Sequence, residues 1–237
     1  MNVAILVDYD NLLPTQKASG LLDVTIRVLM QLPKGRVAER GSCDLRLYGG
    51  WYEGSSMTTL AQRLAIALQA DFPAIVRVAT EDGGQSAITV NAALAMSMIE
   101  EPSHHLLNTF RKKGKPNNVR VQKQGDVGCT NTSCILPMVK KMLTSGNCPI
   151  ASCTVSGQDM LYRNEQKTVD TMLTCDLIYA HHQGLDHVVL VSGDDDFIPP
   201  VRTLLLRGAP ITRVHPKPNA QRQKISVGAN RLIELEL

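Results

Sequence analysis

The chain has 237 residues, of which 43% are hydrophobic, and a formal net charge of +3. This length accommodates one well-buried α/β core with an insertion, but not two full domains. The longest apolar-rich stretch, residues 87–99, is interrupted by polar side chains and is too short to span a bilayer, and no basic, then apolar leader begins the chain. Composition therefore argues against a membrane protein, and we expect a soluble, unprocessed cytoplasmic protein.

Strand-like and helix-like segments alternate along the first hundred residues. In chain order they are strand AILVDYD, helix LLDVTIRVLMQL, strand DLRLYGGWY, helix MTTLAQRLAIALQADF, strand AIVRVA and helix TVNAALAMSMIEE. A further strand, VRVQKQ, is expected near Val119. This alternation favours βα units around a central parallel sheet.

Residues 125–162 break this rhythm. They are rich in Gly, Asn, Ser, Thr and Cys, contain one short helical segment at 136–143, and are interpreted as an insertion. The alternation then resumes with a helix over 166–181, the strand HVVLVS, a helix over 201–207, the strand ITRVH and a last edge strand in RLIELEL. The sequence therefore predicts one α/β domain, residues 1–237, that carries a Cys-containing insertion.

Carboxylates end apolar runs at distant points of the chain. Asp8 follows VAILV, Asp194 follows HVVLVSG, and Asp170 lies near the N-terminus of the helix over 166–181. Because parallel sheets place ligand sites at the carboxyl ends of their strands, Asp8 and Asp194 are expected at one edge. Carboxylates gathered there repel one another unless a cation lies among them, and hard oxygen ligands suit Mg²⁺ or Mn²⁺. The pattern predicts divalent-metal chemistry on a phosphate ester.

Several of these acids also have a structural interpretation. Asp176 lies about 9 Å further along the helix than Asp170, and is read as a partly buried acid satisfied by a hydroxyl or a cation. Asp196 precedes Phe-Ile-Pro-Pro and suits a helix N-cap. Asp195 is expected to face solvent.

The strings VDYDN, K-T-V-D and S-G-D-D-D-F-I-P resemble the motifs of NYN domains, which are members of the PIN-like nuclease superfamily. The resemblance implies a Rossmann-like three-layer fold and Mg²⁺- or Mn²⁺-dependent cleavage of RNA. Carried over by position, it implies metal ligands at Asp8, Asp170, Asp194 and Asp196, and an orienting side chain at Asn11. The chain departs from the family pattern at Tyr9 and Asp10, at Thr168, where Gly is common, and in the insertion.

The expected activity is metal-assisted hydrolysis by an endoribonuclease, with RNA favoured over DNA as the partner. One alternative is a haloacid-dehalogenase-like phosphatase, in which Asp8 would be the nucleophile and Asp10 the acid-base. Another is a catalytically silent RNA-binding module that keeps the acids only as structure. Substrate preference, pathway and homo-oligomerisation are left open by the sequence.

Four cysteines in the insertion form two C-x4-C pairs, Cys129 with Cys134 and Cys148 with Cys153. Four thiolates this close in sequence can close a tetrahedral zinc site. The alternative is unligated cysteines in a loop, since disulfides are unexpected in a reducing cytosol.

Basic side chains precede the insertion and are the expected clamp on a nucleic-acid backbone. They are Arg111, Lys112, Lys113, Lys115, Arg120 and Lys123. Trp51 ends a predicted strand on the edge of Asp8, where it would either stack on a base or pack in the core, and core packing is slightly favoured.

Overall fold

The computed structural model describes residues 2–33, 40–80, 82–114, 120–156 and 161–237, and for Arg40 it describes the backbone alone. The chain divides into two compact units, one made of the residues up to Phe110 together with Gln166–Leu237, the other of Arg111–Glu165. Lys115 lies outside the described residues.

The strands of the first unit are β1 (Asn2–Asp8), β2 (Arg40–Tyr48), β3 (Tyr52–Glu53), β4 (Ser56–Met57), β5 (Ala74–Ala79) and β6 (Gln85–Leu94) before the second unit. Two strands lie at its boundary, β7 (Phe110–Gly114) and β8 (Tyr162–Gln166). After it come β9 (His187–Val191), β10 (Ile211–His215), β11 (Ser226–Val227), β12 (Asn230–Arg231) and β13 (Ile233–Glu236). The helices are α1 (Pro14–Ser19), α2 (Leu21–Gln31), α3 (Thr59–Asp71), α4 (Leu136–Ser145), α5 (Val169–His182) and α6 (Ile198–Leu206).

A seven-stranded sheet organises the first unit, in the order β13-β10-β9-β1-β2-β6-β5. Its strands pair in parallel, except that β5 runs antiparallel to β6. In β9 and β10 every residue is buried, and in β1 all but the first. Strands that are buried along their length require cover on both faces of the sheet.

Helices supply that cover. Leu21, Val28 and Leu29 of α2 pack with Ala61 and Leu68 of α3 against one face. On the other face the buried residues of α5 and α6 pack against alternate side chains of β1 and β9. This arrangement confirms the expected α/β class with a central, mostly parallel sheet. Among the described residues, no helix combines the length and apolar character that a bilayer span requires.

The segment TVNAALAMSMIEE was expected to be a helix, and this prediction is wrong. Its first part belongs to β6, in which Ser86, Ile88 and Val90 are buried while the residues between them are exposed. This two-residue period, together with antiparallel pairing with β5, fixes the segment as a strand. Local alanine content favours a helix, but long-range pairing decides the structure.

The later elements follow the sequence prediction closely. The helix expected over 201–207 is α6, with Pro199 and Pro200 in its first turn, and RLIELEL contains β13 at the edge of the sheet. Helix α5 begins at Val169 rather than at residue 166. Its N-cap Thr168 has a left-handed φ of 64°, which is unfavourable for a β-branched residue.

The second unit contains α4 and a short 3₁₀ turn at Gly125–Val127. A strand was expected over VRVQKQ, but residues 120–124 form none, and Val119 lies outside the described residues. In the first unit, the backbone N–H of Lys167 donates to the carbonyl of Thr109 at 2.9 Å. The chain therefore leaves the first unit and re-enters it at one place.

Candidate acidic site

Asp8 and Asp194 lie at the same edge of the sheet because β1 and β9 are neighbours, with Val7 opposite Val191. One hydroxyl joins them. The Oγ of Ser192 donates to Oδ2 of Asp8 at 3.0 Å and accepts the backbone N–H of Asp194 at 3.1 Å. The beginning and the last third of the chain thus meet at a single serine.

Asn11 adds a second bridge between the same two segments. It lies in the 3₁₀ turn Tyr9–Asn11, its Nδ2 donates to Oδ2 of Asp8, and its Oδ1 accepts the N–H of Gly193 at 3.3 Å. A Cβ on Gly193 would lie 3.3 Å from Oδ1 of Asn11, so glycine suits this close approach. Both hydrogen bonds to Asp8 end on Oδ2, and its Oδ1 accepts none from the described residues.

Asp170 interacts electrostatically with the carboxylates at this edge. Asp170 lies in the first turn of α5, and its pKa is raised by partial burial and then by the charges of Asp194, Asp196 and Asp10. Asp8, Asp10, Asp170, Asp194 and Asp196 together are named the acidic cluster.

Asp8 is the buried member of the acidic cluster, with 6% of its surface exposed. Burial raises its pKa to about 6, and the charges of Asp170 and Asp10 add to the increase, while the bonds from Ser192 and Asn11 act against it. At neutral pH the folded protein holds an ionised carboxylate in an environment that disfavours it. A bound cation would relieve this cost.

The expected N-cap at Asp196 is wrong. The residue that caps is Asp194, whose Oδ1 accepts the N–H of Asp196 at 3.0 Å at the start of the 3₁₀ turn Asp195–Phe197. Phe197 occupies the N-cap position of α6 and makes no side-chain capping bond. The chain turns two residues earlier than the Pro-Pro signal indicated, so the exposed carboxylate of Asp196 takes no part in capping.

Asp176 has the structural role that the sequence offered as an alternative. It is 1% exposed, and it accepts the Tyr48 hydroxyl and the Ile99 N–H, each at 2.7 Å. The guanidinium of Arg46 lies 3.5 Å away. This acid ties α5 to the sheet and to the segment after β6.

Two contributors, Ser192 and Arg213, had no role in the sequence interpretation, and Asp10 had one only in the phosphatase alternative. Ser192 stands inside the S-G-D-D-D-F motif, which was read only for its acids. Asp10, treated as a departure from the family pattern, accepts a hydrogen bond from the Gln166 amide and adds negative charge near Asp8 and Asp170. Arg213 was visible only as a charged residue within the short strand ITRVH.

The donor set fits one kind of metal better than another. No three His, Cys, Asp or Glu side chains among the described residues lie close enough together to enclose an ion. Structural zinc needs four protein ligands, whereas Mg²⁺ keeps several waters and binds through one or two carboxylates. The acidic cluster, with a free Oδ1 on Asp8 and repulsion among its members, fits an open Mg²⁺ or Mn²⁺ site.

The zinc site expected from the four cysteines of the second unit is not shown among the described residues and stays a prediction. Cys129 and Cys134 lie near each other, and the pKa of the Cys129 thiol is lowered by the backbone N–H of Asn131, by Cys134 and by the Gln124 amide. All four cysteines are described and free, but no three of them come together as ligands.

Some of the expected substrate-binding cations already have partners within the second unit. Arg111 and Lys113 approach Glu165 at 2.6 and 3.8 Å, and Lys112 lies 5.4 Å from the centre of the Tyr162 ring. Lys123 contributes its backbone N–H to Asp126, and Arg120 is exposed.

Trp51 is a core residue, as favoured from the sequence. It is buried, and its indole N–H donates to the carbonyl of Leu47 at 3.0 Å. It is therefore not available to stack on a base.

Fold and site together define an α/β protein with an acidic cluster at the carboxyl edge of a mostly parallel sheet, the usual place for ligand binding in such sheets. Residues 136–234 match the family model of the NYN domain, which confirms the resemblance drawn from the motifs. The matched region includes Asp170, Asp194 and Asp196 but not Asp8 and Asn11, and NYN domains point to PIN-like nucleases. No match was found among curated proteins or among solved structures.

Proposed function

We propose that this chain is a divalent-metal-dependent endoribonuclease that hydrolyses RNA at the acidic cluster. The observation that carries the proposal is the joining of Asp8 to the Asp194 turn through Ser192 and Asn11, with Asp170 electrostatically coupled to the same place. The NYN match at residues 136–234 supports the same class of activity.

In the proposed reaction a water attacks the phosphorus of a phosphodiester, and the bond from phosphorus to the 3′ oxygen breaks. The products carry a 5′ phosphate and a 3′ hydroxyl, and the proton lost by the water balances the one gained by the leaving oxygen. Mg²⁺ or Mn²⁺, when bound, would lower the pKa of a water and stabilise the developing negative charge.

The side chains have distinct proposed roles. Asp8, Asp170 and Asp194 would hold the cation through carboxylate oxygens, with Asp196 as a ligand or as an acid close to the ligands. Asn11 orients Asp8, since it fixes one carboxylate oxygen and is itself fixed by the N–H of Gly193. Ser192, directly after the neighbouring strand β9, donates to the same carboxylate oxygen and also orients Asp8.

Basic residues of the second unit are proposed to hold the RNA backbone. The second unit contributes Arg111, Lys112, Lys113, Arg120 and Lys123, and Lys115 belongs to the same stretch of sequence. Contacts to phosphates release counterions, so binding should weaken steeply as salt rises. Because Glu165 already pairs with Arg111 and Lys113, Lys123 is the better position for a charge-reversal test.

The deciding experiment incubates the purified protein with end-labelled single- and double-stranded RNA and DNA in Mg²⁺, Mn²⁺ or EDTA. We expect RNA cleavage with metal, none in EDTA, and 5′-phosphate ends. Asp8→Asn and Asp194→Asn should abolish cleavage while the circular dichroism spectrum is unchanged. Full activity in either variant, or in EDTA, would refute the assignment.

A silent RNA-binding module is the second candidate, since no closed three-ligand cage exists among the described residues. It predicts RNA retention in a gel-shift assay without turnover in Mn²⁺. The same preparations test both candidates, because cleavage and retention are read from the same labelled strands.

A further inference from the structure

Arg213 is the most buried charged side chain next to the acidic cluster, with 1% of its surface exposed. It lies on β10, where it is opposite Leu190 of β9. The other residues of β10 are apolar or hydrogen-bonded within the sheet. Burying an arginine among them costs free energy unless its N–H groups find hydrogen-bond acceptors.

The guanidinium is used to hold the turn that carries Asp194. Its Nε donates to the carbonyl of Ser192 at 3.1 Å, and Nη2 donates to the carbonyl of Asp194 at 2.8 Å and to Oδ1 of Asp195 at 3.2 Å. The backbone from residue 192 to residue 195 is thus folded around one planar group with fixed donor directions.

Glu234 of β13 is a further acidic neighbour of the Arg213 guanidinium. Its Oε1 lies 4.0 Å from Nη1 of Arg213, beyond hydrogen-bond distance, and accepts Nε2 of His215 at 3.0 Å. Nη1 is buried without a hydrogen-bond partner among the described residues. The arginine is therefore held chiefly by the turn and only loosely by Glu234.

We propose that Arg213 is a positioning residue of the acidic cluster, which fixes the Ser192–Asp196 turn so that the Asp194 carboxylate is aimed toward Asp8 and Asp170. The assignment rests on the proposed metal-dependent function. Arg213 touches neither metal nor substrate, and it acts through the carbonyls on either side of Gly193 and Asp194.

Two substitutions separate the geometric role from general stability. Arg213→Lys keeps the charge and loses the planar fork, while Arg213→Met removes both. Arg27→Met is the matched control, since Arg27 lies on α2 in an exposed pair with Asp23 at 2.9 Å. Asp195→Ala is a milder probe because Asp195 is 65% exposed and supplies only one of the three contacts.

The first readout is the dissociation constant of Mn²⁺, measured by calorimetry on chelator-treated protein. We expect both Arg213 variants to bind Mn²⁺ about 10- to 100-fold more weakly, as is usual when a residue that orients metal ligands is lost. Saturating Mn²⁺ should restore most of the cleavage rate in Arg213→Lys. Asp195→Ala and Arg27→Met should change the dissociation constant less than about threefold, because the carbonyl contacts remain.

The second readout needs no metal. Hydrogen exchange at the Asp196 amide reports on the Asp194 carboxylate, since that amide donates to it. Arg213→Lys should accelerate exchange in residues 192–197 and leave strand β9 protected.

The outcomes separate the two proposals. Wild-type protein that binds no Mn²⁺ would overturn the proposed function. Unchanged Mn²⁺ affinity with unchanged exchange in the turn, or a lowered melting temperature with uniformly faster exchange, would overturn the role of Arg213 alone.

Discussion

Replacing Asp8 with Asn should stabilise the metal-free protein while it abolishes cleavage. The folded state holds the Asp8 carboxyl with a pKa of about 6, compared with an ordinary value of 3.8. Oδ1 of an asparagine could accept both hydrogen bonds that now end on Oδ2, from Ser192 and Asn11. The substitution therefore removes a buried charge and keeps the surrounding contacts.

The sign and size follow from proton linkage. Between pH 4 and 6 the unfolded chain has released this proton and the folded protein still holds it, so the free energy of unfolding falls as pH rises through that window. Above it, a shift of about two pKa units corresponds to about 3 kcal/mol. We expect Asp8→Asn to be more stable than wild type by about 1–3 kcal/mol at pH 7.5 and equal to it near pH 3.5.

Urea unfolding followed by circular dichroism in EDTA measures the difference, with equal slopes in both proteins as a check on the denatured state. Asp71→Asn is the matched control, since Asp71 is exposed at the end of α3, and its effect should stay within about 0.5 kcal/mol. A variant that is equally or less stable than wild type at pH 7.5 would show that the buried charge carries no such cost.

Three further predictions concern the same region. Mg²⁺ at ten times its dissociation constant should raise the free energy of unfolding of wild type by about 1.4 kcal/mol. This gain should vanish in Asp8→Asn, and also below pH 6, where Asp8 is protonated. Thermal melts measure it, and equal gains in both proteins would contradict the prediction. Thr168→Gly should raise the free energy of unfolding by about 1 kcal/mol, because glycine adopts the left-handed φ of 64° without the strain that a β-branched side chain causes. Urea unfolding at pH 7.5 would measure this difference. Gly193→Ala should lower the cleavage rate about tenfold because its Cβ presses on the Asn11 amide, with melting temperature as the control and an unchanged rate as the contrary result.

Much of the central sheet could be predicted from the sequence because its strands depend on local residue patterns. The apolar runs of β1 and β9 are continuous, so they predict strands buried on both faces, and the edge rule for parallel sheets then places Asp8 beside the Asp194 turn.

The misses have a common physical cause, which is dependence on distant partners. The alanine-rich segment of β6 has local features of a helix, yet it is fixed by pairing with β2 and β5. Capping by Asp194 rather than Asp196 depends on where the chain turns, which the Arg213 contacts help to determine. A single arginine in a short buried strand carries no periodic signal that would reveal its carbonyl partners.

A backbone hydrogen bond joins Thr109 to Lys167, so the two ends of the segment between them lie close together. Loop-closure entropy grows only with the logarithm of loop length, so residues 111–165 can be lengthened, trimmed or exchanged at small thermodynamic cost to the frame that gathers the carboxylates. Evolution or a protein engineer can thus alter this segment and leave the geometry of the acidic cluster as it is.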